Sequence, residues 1–437
     1  MARLWPVSHG GRAVAARAIG RCAVFLARVP WTVSLFGPAL CALIRRVDPA
    51  WACGGHAGRG TSGKVGHGNL LVCRADCVLI IYVVLDGYDF GVGILSPLVT
   101  INETERSMVR ATIGHVWPGN EVWLIAGSAL LFLAFPKAYA AVFSGFYLAL
   151  IIVLWLLIGR GLAFELRGHV AHGLWRGFWD AIFTGSSLLL AFSVGLFAGN
   201  VSRGVPLNEE AYFFLPLWTD LQPGARPGLL DWFTILTGVT MVVLLALHGA
   251  TYLAMQTVGP LQTRCRTVAK SLTVPAAIFL SALYMAWPIV QPAVQEHDYM
   301  NSARYAWSWA SAATLALLYR FHLRDRMVAA FACSSLLVAS LLVTIVWGTY
   351  PNLLTATDPA NSVTITGAAA EPNGLRAALW WVPPGLALVV VYQVLIHRMF
   401  AGPVTPETLY LYGHEARSAH GATNADESRR ASRHRPQ

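Results

Sequence analysis

LDGYDFGVGILSP (Leu85–Pro97), followed after a short charged turn by GHVWPGNEVW (Gly114–Trp123), decides how the rest of the chain is read. Two aspartates, Asp86 and Asp89, stand inside an otherwise apolar run from Cys77 to Leu98. At about 1.5 Å of rise per residue, that run is long enough to cross a bilayer as a helix. A carboxylate at the centre of such a helix costs roughly 2.5–3.5 kcal/mol on insertion scales, so it needs a partner or a water-filled cavity. Asp86 and Asp89 are three apart and share a helix face. Gly87 and Gly91, four apart, make a small-residue surface that lets another helix approach closely. The stretch reads as a packed, polar-cored membrane site and not as a lipid-facing anchor.

Composition agrees. With 56% hydrophobic residues, 12% charged residues and 16 Trp in 437, the chain is excluded from the ordinary soluble class. A formal charge of +10 invites a nucleic-acid partner. The basic residues, however, sit in short inter-helix loops and at the two ends, which topology explains, so no nucleic acid is expected. Of the 7 cysteines, Cys22, Cys41, Cys53, Cys73 and Cys77 lie toward the N-terminus without CxxC or Cys/His zinc spacing. Cys265 and Cys333 are remote from them. This pattern argues for neither a disulfide framework nor a metal site.

Apolar runs of spanning length recur near Cys77–Leu98, Ile113–Phe135, Tyr139–Leu162, Trp179–Gly199, Trp232–Leu253, Leu272–Val290, Trp307–Phe321, Val328–Trp347 and Ala377–Phe400. About nine transmembrane helices and an all-α, polytopic membrane fold are expected. One set of alternate loops holds Arg106, Arg110, Arg160, Arg167, Arg176, Arg264, Arg266, Lys270, Arg320, Arg324 and Arg326, eleven in all. The other holds five: Lys137, Arg203, Arg226, Arg304 and Arg376. Positive charge collects on the cytoplasmic side, so the first helix starts outside and the C-terminus lies inside.

Three regions follow. Residues 1–76 form an atypical Arg-, Gly- and Ala-rich leader in which the apolar run Ala23–Ile44 is interrupted by Arg28, Pro30 and Pro38. It reads as a misassigned or non-native leader, with a poorly ordered extension and an extra helix as alternatives. Residues 77–400 are the membrane domain. Residues 401–437 form a polar cytoplasmic tail expected to be disordered. The external segments Asn200–Asp231 and Gly348–Arg376, rich in Pro, Gly and Asn, are expected to be ordered caps.

The chain resembles subunit II of the cytochrome bd-type quinol oxidases. The residues that carry this resemblance are LDGYDFGVG (Leu85–Gly93), the block ERSMVRATIGHVWPGNEVW that opens Glu105–Leu150, IGRGLAFELR (Ile158–Arg167), LHGATYLAMQTVGPLQTR (Leu247–Arg264) and YPNLLTATDPANSVTITGAA (Tyr350–Ala369). They stand in the family's order and cover roughly Ile80 to Phe400. The resemblance implies two four-helix bundles followed by a ninth helix. It also implies an obligate heterodimer in the bacterial inner membrane, in contact with the lipid bilayer. In that complex quinol supplies electrons for reduction of oxygen to water. Haems b and d and the quinol-oxidising loop would belong to the partner, subunit I, while this chain leaves room for a structural quinone.

The residues themselves bear on that division. Of 13 His, only His248 falls near the centre of an expected span. His115, His169, His172, His297, His322 and His397 fall near ends or in loops. There is no CxxCH for covalent haem attachment. His248 reads as a hydrogen-bonded interior residue more than as an axial ligand.

Oxygen reduction consumes protons, and a proton route across a membrane needs titratable groups within hydrogen-bond reach. The candidates are Asp86 and Asp89 on the first helix, Trp117, Asn120 and Glu121 at the start of the second, and Arg160 and Glu165 at the inner end of the third. There an arginine can hold a carboxylate ionised. The competing reading is a buried ion-pair network that only pins these helices. One departure from the family counts against conduction: Pro118 follows Trp117 where relatives carry an acidic residue assigned to the proton path. Proline relays no proton, so Glu121 substitutes or the protons pass through subunit I. A rival of another class is a proton- or ion-coupled secondary transporter using Asp86, Asp89 and Glu121. The second half of the chain has no counterpart of LDGYDFGVG, which argues against that rival. Trp307, Trp309, Trp380 and Trp381 read as interfacial belt residues.

Overall fold

The computed structural model describes residues 62–224, 226–291 and 298–409. The expectations for most of the leader and for the tail beyond Leu409 lie outside the described residues. Helix α1 (Ser62–Val99) starts upstream of the expected Cys77. Leu71 and Ala75 are buried in a cluster with Leu130, Ala134 and Leu375. The end of the segment read as leader is thus helical and packs with the membrane domain. Its charged residues, read along the sequence, hid the apolar contacts it makes.

The chain continues through α2 (Glu103–Ile113), capped by Asn102 Oδ1, which accepts from Glu105 N at 2.9 Å. It then runs through α3 (Trp117–Ala134), α4 (Pro136–Gly145), α5 (Tyr147–Leu166) and α6 (Gly173–Arg203). The third expected span, Tyr139–Leu162, is broken between α4 and α5 at the buried Phe146, whose ring packs edge-on to Phe213. The second half consists of α7 (Trp232–Gln256), α8 (Gly259–Val290), α9 (Asp298–Leu323) and α10 (Met327–Thr349). A short antiparallel pair, β1 (Asn352–Leu354) and β2 (Val363–Thr364), leads through α11 (Ile365–Ala368) to α12 (Pro372–Met399). Among the described residues, 8 helical stretches are long and apolar enough to cross a membrane, with α2 and α3 counted as one. Helix α9 carries the remaining expected span but is not one of these, its apolar residues being diluted by Ser, Tyr and Arg.

Helices α1, α3, α5 and α6 form one group and α7 to α10 the other, joined where α1 and α6 both lie against α7. The close approach there has a simple cause. A Cβ on Gly91 would stand 2.8 Å from the Cα of Gly249, so only hydrogen at both positions lets the backbones meet. Burial then grades outward, from 83% of the α1 span and 72% of α7 to 11% of α5 and 6% of α12. Helix α12 leans on α3, leaving α5 and α12 with wide apolar faces. Trp309, Trp380 and Trp381 are exposed on the outside.

The two long connections fold together as a cap at one end. Val205 N donates to Thr355 O and Thr357 N to Val205 O, both at 2.9 Å. Asp231 caps α7, accepting from Phe233 N and Thr234 N, and also pairs with the buried Arg203. At the opposite, arginine-rich end, Arg167 bonds Asp180 at 2.6 Å and Glu103 at 2.8 Å, and Arg264 bonds Glu105 at 2.5 Å. Arg110 Nη2 donates to the carbonyls of Ala163 and Phe164, and Trp175 Nε1 donates to Leu166 O. These bonds satisfy the last turn of α5, whose carbonyls have no helical donor. The tail expected to be disordered from Gly402 is ordered at its start. Val404 is buried, and its N–H donates to Gln256 O at 2.8 Å. That carbonyl closes α7 and needs a donor from outside the helix.

Candidate functional site

Three helices converge on one guanidinium. Arg160 of α5 places Nη1 3.1 Å from Asp86 Oδ1 and 3.5 Å from Glu121 Oε1, and Nη2 3.9 Å from Asp89 Oδ2. Asp86 and Asp89 are wholly buried and the Arg160 side chain is 2% exposed, whereas Glu121 keeps 29% exposure. The guanidinium lies over the Phe90 ring at 4.8 Å and near Trp117 at 5.8 Å, where the ring faces favour a cation. Asp86 also faces the Tyr82 hydroxyl and the Asp89 carboxylate, and Arg160 Nε has no protein hydrogen-bond partner.

Asn120 extends this cluster. Its Nδ2 donates to Asp89 Oδ2 at 2.8 Å and to the Tyr88 hydroxyl at 2.9 Å. Its Oδ1 accepts from Gln393 Nε2 of α12 at 2.5 Å, which settles which way the amide points. Tyr88 stacks on Tyr252 with ring centroids 4.2 Å apart, and its hydroxyl is 3.4 Å from His397 Nε2.

Of the residues singled out in the sequence, Asp86, Asp89, Trp117, Asn120, Glu121 and Arg160 are brought together. Glu165 is not: it is exposed, five residues beyond Arg160 and so turned well away around α5. Arg160 faces the carboxylates of α1 and α3 instead. Pro118 is exposed at the first turn of α3. Tyr88, Gln393 and His397 join the cluster without having been expected. Tyr88 stood inside the decisive stretch, but nothing local in α12 signals a contact 273 residues away.

His248 tests whether this chain can hold a haem. It is buried, with Nε2 3.0 Å from Val84 O and Nδ1 2.7 Å from Ser334 Oγ, and it stacks on Phe331. A carbonyl only accepts, so Nε2–H donates to Val84 O, while Nδ1 faces the Ser334 hydroxyl, whose one proton is also within reach of Phe331 O. Both nitrogens that could ligate iron are engaged, and the residues here do not fit an axial ligand. No group of three or more His, Cys, Asp or Glu poised around a metal occurs among the described residues.

The fold and this cluster define a polytopic helical membrane protein with a buried arginine–carboxylate centre near one side of the bundle. The family model for cytochrome bd terminal oxidase subunit II matches residues 72–400, and the chain belongs to that family. It is 31% identical over 360 residues to the cytochrome bd-I ubiquinol oxidase subunit 2 of Escherichia coli (strain K12), covering 76% of this chain and 93% of that one. It is 36% identical over 202 residues to the cytochrome bd ubiquinol oxidase subunit 2 of Bacillus subtilis (strain 168), covering 46% of this chain and 56% of that one. Its fold is similar to a chain in the structure of bd oxidase from Geobacillus thermodenitrificans. The TM-score is 0.55 at 18% identity, over 77% of this chain and 98% of the other. The family match starts inside the segment read as leader, in keeping with the helical residues there.

Proposed function

We propose that this chain is the non-haem subunit of a quinol:oxygen oxidoreductase in the bacterial inner membrane, held against a haem-bearing subunit I through the face formed by α3, α5 and α12. The observation that carries this reading is the position of Glu121. It is the partly exposed member of an otherwise buried ionic cluster, on the helix that pairs with Arg160 of α5 and packs against α12, the two helices with the least buried spans. A carboxylate is costly against lipid. A partner subunit laid over that face removes the cost and places the cluster beside the partner's haems.

The cluster then has two uses. It pins α1, α3 and α5, and it stores protons on their way to the partner. With three carboxylates around one guanidinium, full ionisation leaves a formal charge of −2 in a low-dielectric site, so a held proton brings the cluster nearer neutrality. Reduction of oxygen to water consumes a proton for each electron supplied by quinol. No step of that chemistry is assigned to groups in this chain; its residues hold and pass protons. The arginine-rich end, by the positive-inside rule, faces the cytoplasm, and with it the C-terminus. An apolar groove of about 780 Å³ between α8 and α9, lined by Val274, Ile278, Tyr284, Leu315 and Tyr319 among others, is of a size and character to take a structural quinone.

The test uses membranes with and without this chain, beside Asp89→Asn and Glu121→Gln. Deletion should abolish the b and d haem bands and quinol-driven oxygen uptake. The point variants should keep the bands and lose turnover. Haem bands that survive deletion would sink the subunit assignment, and full turnover in both variants would leave the cluster as a scaffold.

A further inference from the structure

At the arginine-rich end, a cavity beside the turn that precedes α3 lies next to side chains that lead toward the cluster. This cavity of about 20 Å³, enough for a water molecule, lies between the ends of α2, α7 and α12 and is covered by the start of the C-terminal tail. His115, Tyr252, Gln256 and His397 line it, with Phe400 and Val404 as the cover. His397 is the link inward. Its Nδ1–H donates to Gln393 O at 2.9 Å, because a carbonyl only accepts. The remaining nitrogen, Nε2, is the basic site of the neutral ring, and it faces the Tyr88 hydroxyl at 3.4 Å. Beyond Tyr88, a single donor nitrogen, Asn120 Nδ2, touches both the Tyr88 oxygen and Asp89 Oδ2. Two oxygens that share one donor are near enough for one bridging water or a swing of the hydroxyl.

We infer that protons reach the acid cluster through this cavity, with His397 as the uptake residue, and not through the first turn of α3. The inference rests on the proton-carrying role proposed above. A proton from the cavity binds His397 Nε2. The imidazolium passes it to the Tyr88 oxygen while the hydroxyl proton of Tyr88 moves on toward Asp89. Asp89, whose Oδ2 shares the Asn120 donor with Tyr88, receives it, and neutral His397 is restored. The tail residues are part of the device, since Val404 is anchored to Gln256 O and roofs the cavity. Gln393 has a supporting part: its carbonyl sets the tautomer of His397 and its amide sets the orientation of Asn120. This arrangement accounts for how a chain with proline at position 118 can still feed Asp89.

The experiment is quinol-driven oxygen uptake by the whole complex, with haem spectra as the control for assembly. It compares His397→Ala, His397→Gln, Asp89→Asn and the double variant His397→Ala/Pro118→Asp. His397→Gln keeps a hydrogen-bonding side chain but takes up no proton, so it stands in if His397→Ala fails to assemble. The expected result is intact haem bands with turnover reduced by at least about tenfold in both His397 variants, the lower end of losses seen when a proton-transfer group is removed. Turnover should be partly restored by Pro118→Asp, which adds a titratable carboxyl at the first turn of α3 that bypasses His397. A merely structural His397 would not be rescued from another helix. Full turnover in His397→Gln with loss in Asp89→Asn would overturn this route while leaving the proton-carrying cluster standing. Full turnover in Asp89→Asn as well would remove the parent reading too.

Discussion

Gly91 of α1 and Gly249 of α7 meet backbone against backbone: a Cβ on Gly91 would lie 2.8 Å from both the N and the Cα of Gly249. This contact is one of the two seams, with that between α6 and α7, that join the halves of the chain. Backbone atoms cannot move aside as a side-chain tip can. Gly91→Ala or Gly249→Ala should therefore cost at least about 1–3 kcal/mol, the usual range for overpacking. Gly185→Ala is the control, because nothing lies within 4 Å of its added carbon. Thermal melting of the purified complex should fall for the first two and stay level for the third.

Arg160 is the one cation within reach of Asp86, Asp89 and Glu121 among the described residues. Arg160→Met would leave two wholly buried carboxylates without it, and removing one partner of a buried pair costs about 3–5 kcal/mol. Loss of assembled complex from membranes, read by haem absorbance, is the expected outcome. Arg160→Lys should remain defective, since a point charge cannot face three carboxylates as a planar fork does. Wild-type yields from Arg160→Met would refute this.

The two aspartates should separate by thermal melting of the purified complex. Asp86 stands 3.1 Å from the guanidinium and Asp89 3.9 Å, with Asn120 as its nearer partner. Asp86→Asn should lower thermal stability more than Asp89→Asn. The reverse order would mean that the Asn120 bond outweighs the ion pair.

Gln393→Leu tests how α12 is tied to α3. It removes the donor to Asn120 Oδ1, a buried acceptor, and such a loss costs about 1–3 kcal/mol. Because Asn120 is then free to turn, turnover should drop together with stability. A stable variant with full activity would show that neither helix depends on this bond.

At the far end, Asp231 both caps α7 and pairs with Arg203. Asp231→Ala should cost about 3–5 kcal/mol, as expected when one partner of a buried ion pair is removed, although Arg203 keeps its bonds to Asn200 and Gly228. Thr234→Ala, which removes the reciprocal bond of the cap and the hydroxyl bond to Leu229 O but leaves the ion pair, should cost about 1 kcal/mol. Equal melting points for the two would show the ion pair to be idle.

What the sequence determined by itself is whatever depends on residues near one another in the chain. Helix periodicity and length place the spans. The three-residue spacing puts Asp86 and Asp89 on one face, and the small residues at Gly87 and Gly91 announce a close helix neighbour. Asp86, Asp89, Glu121 and Arg160 on α1, α3 and α5 were legible because membrane burial makes a charged residue conspicuous. The tertiary structure alone decided which partner each found. Arg160 could be paired with Glu165 on proximity in sequence, but helix rotation turns the two apart and presents Arg160 to α1 and α3. The buried ends of α1 and the tail, at Leu71 and Val404, looked too polar in context to be core. Each is held by apolar or backbone contacts from distant helices. The line from His397 through Tyr88 to Asn120 crosses three helices. Its existence depends on how α12 leans on α3, a packing choice made by shape and hydrogen bonding between surfaces that no local spacing encodes.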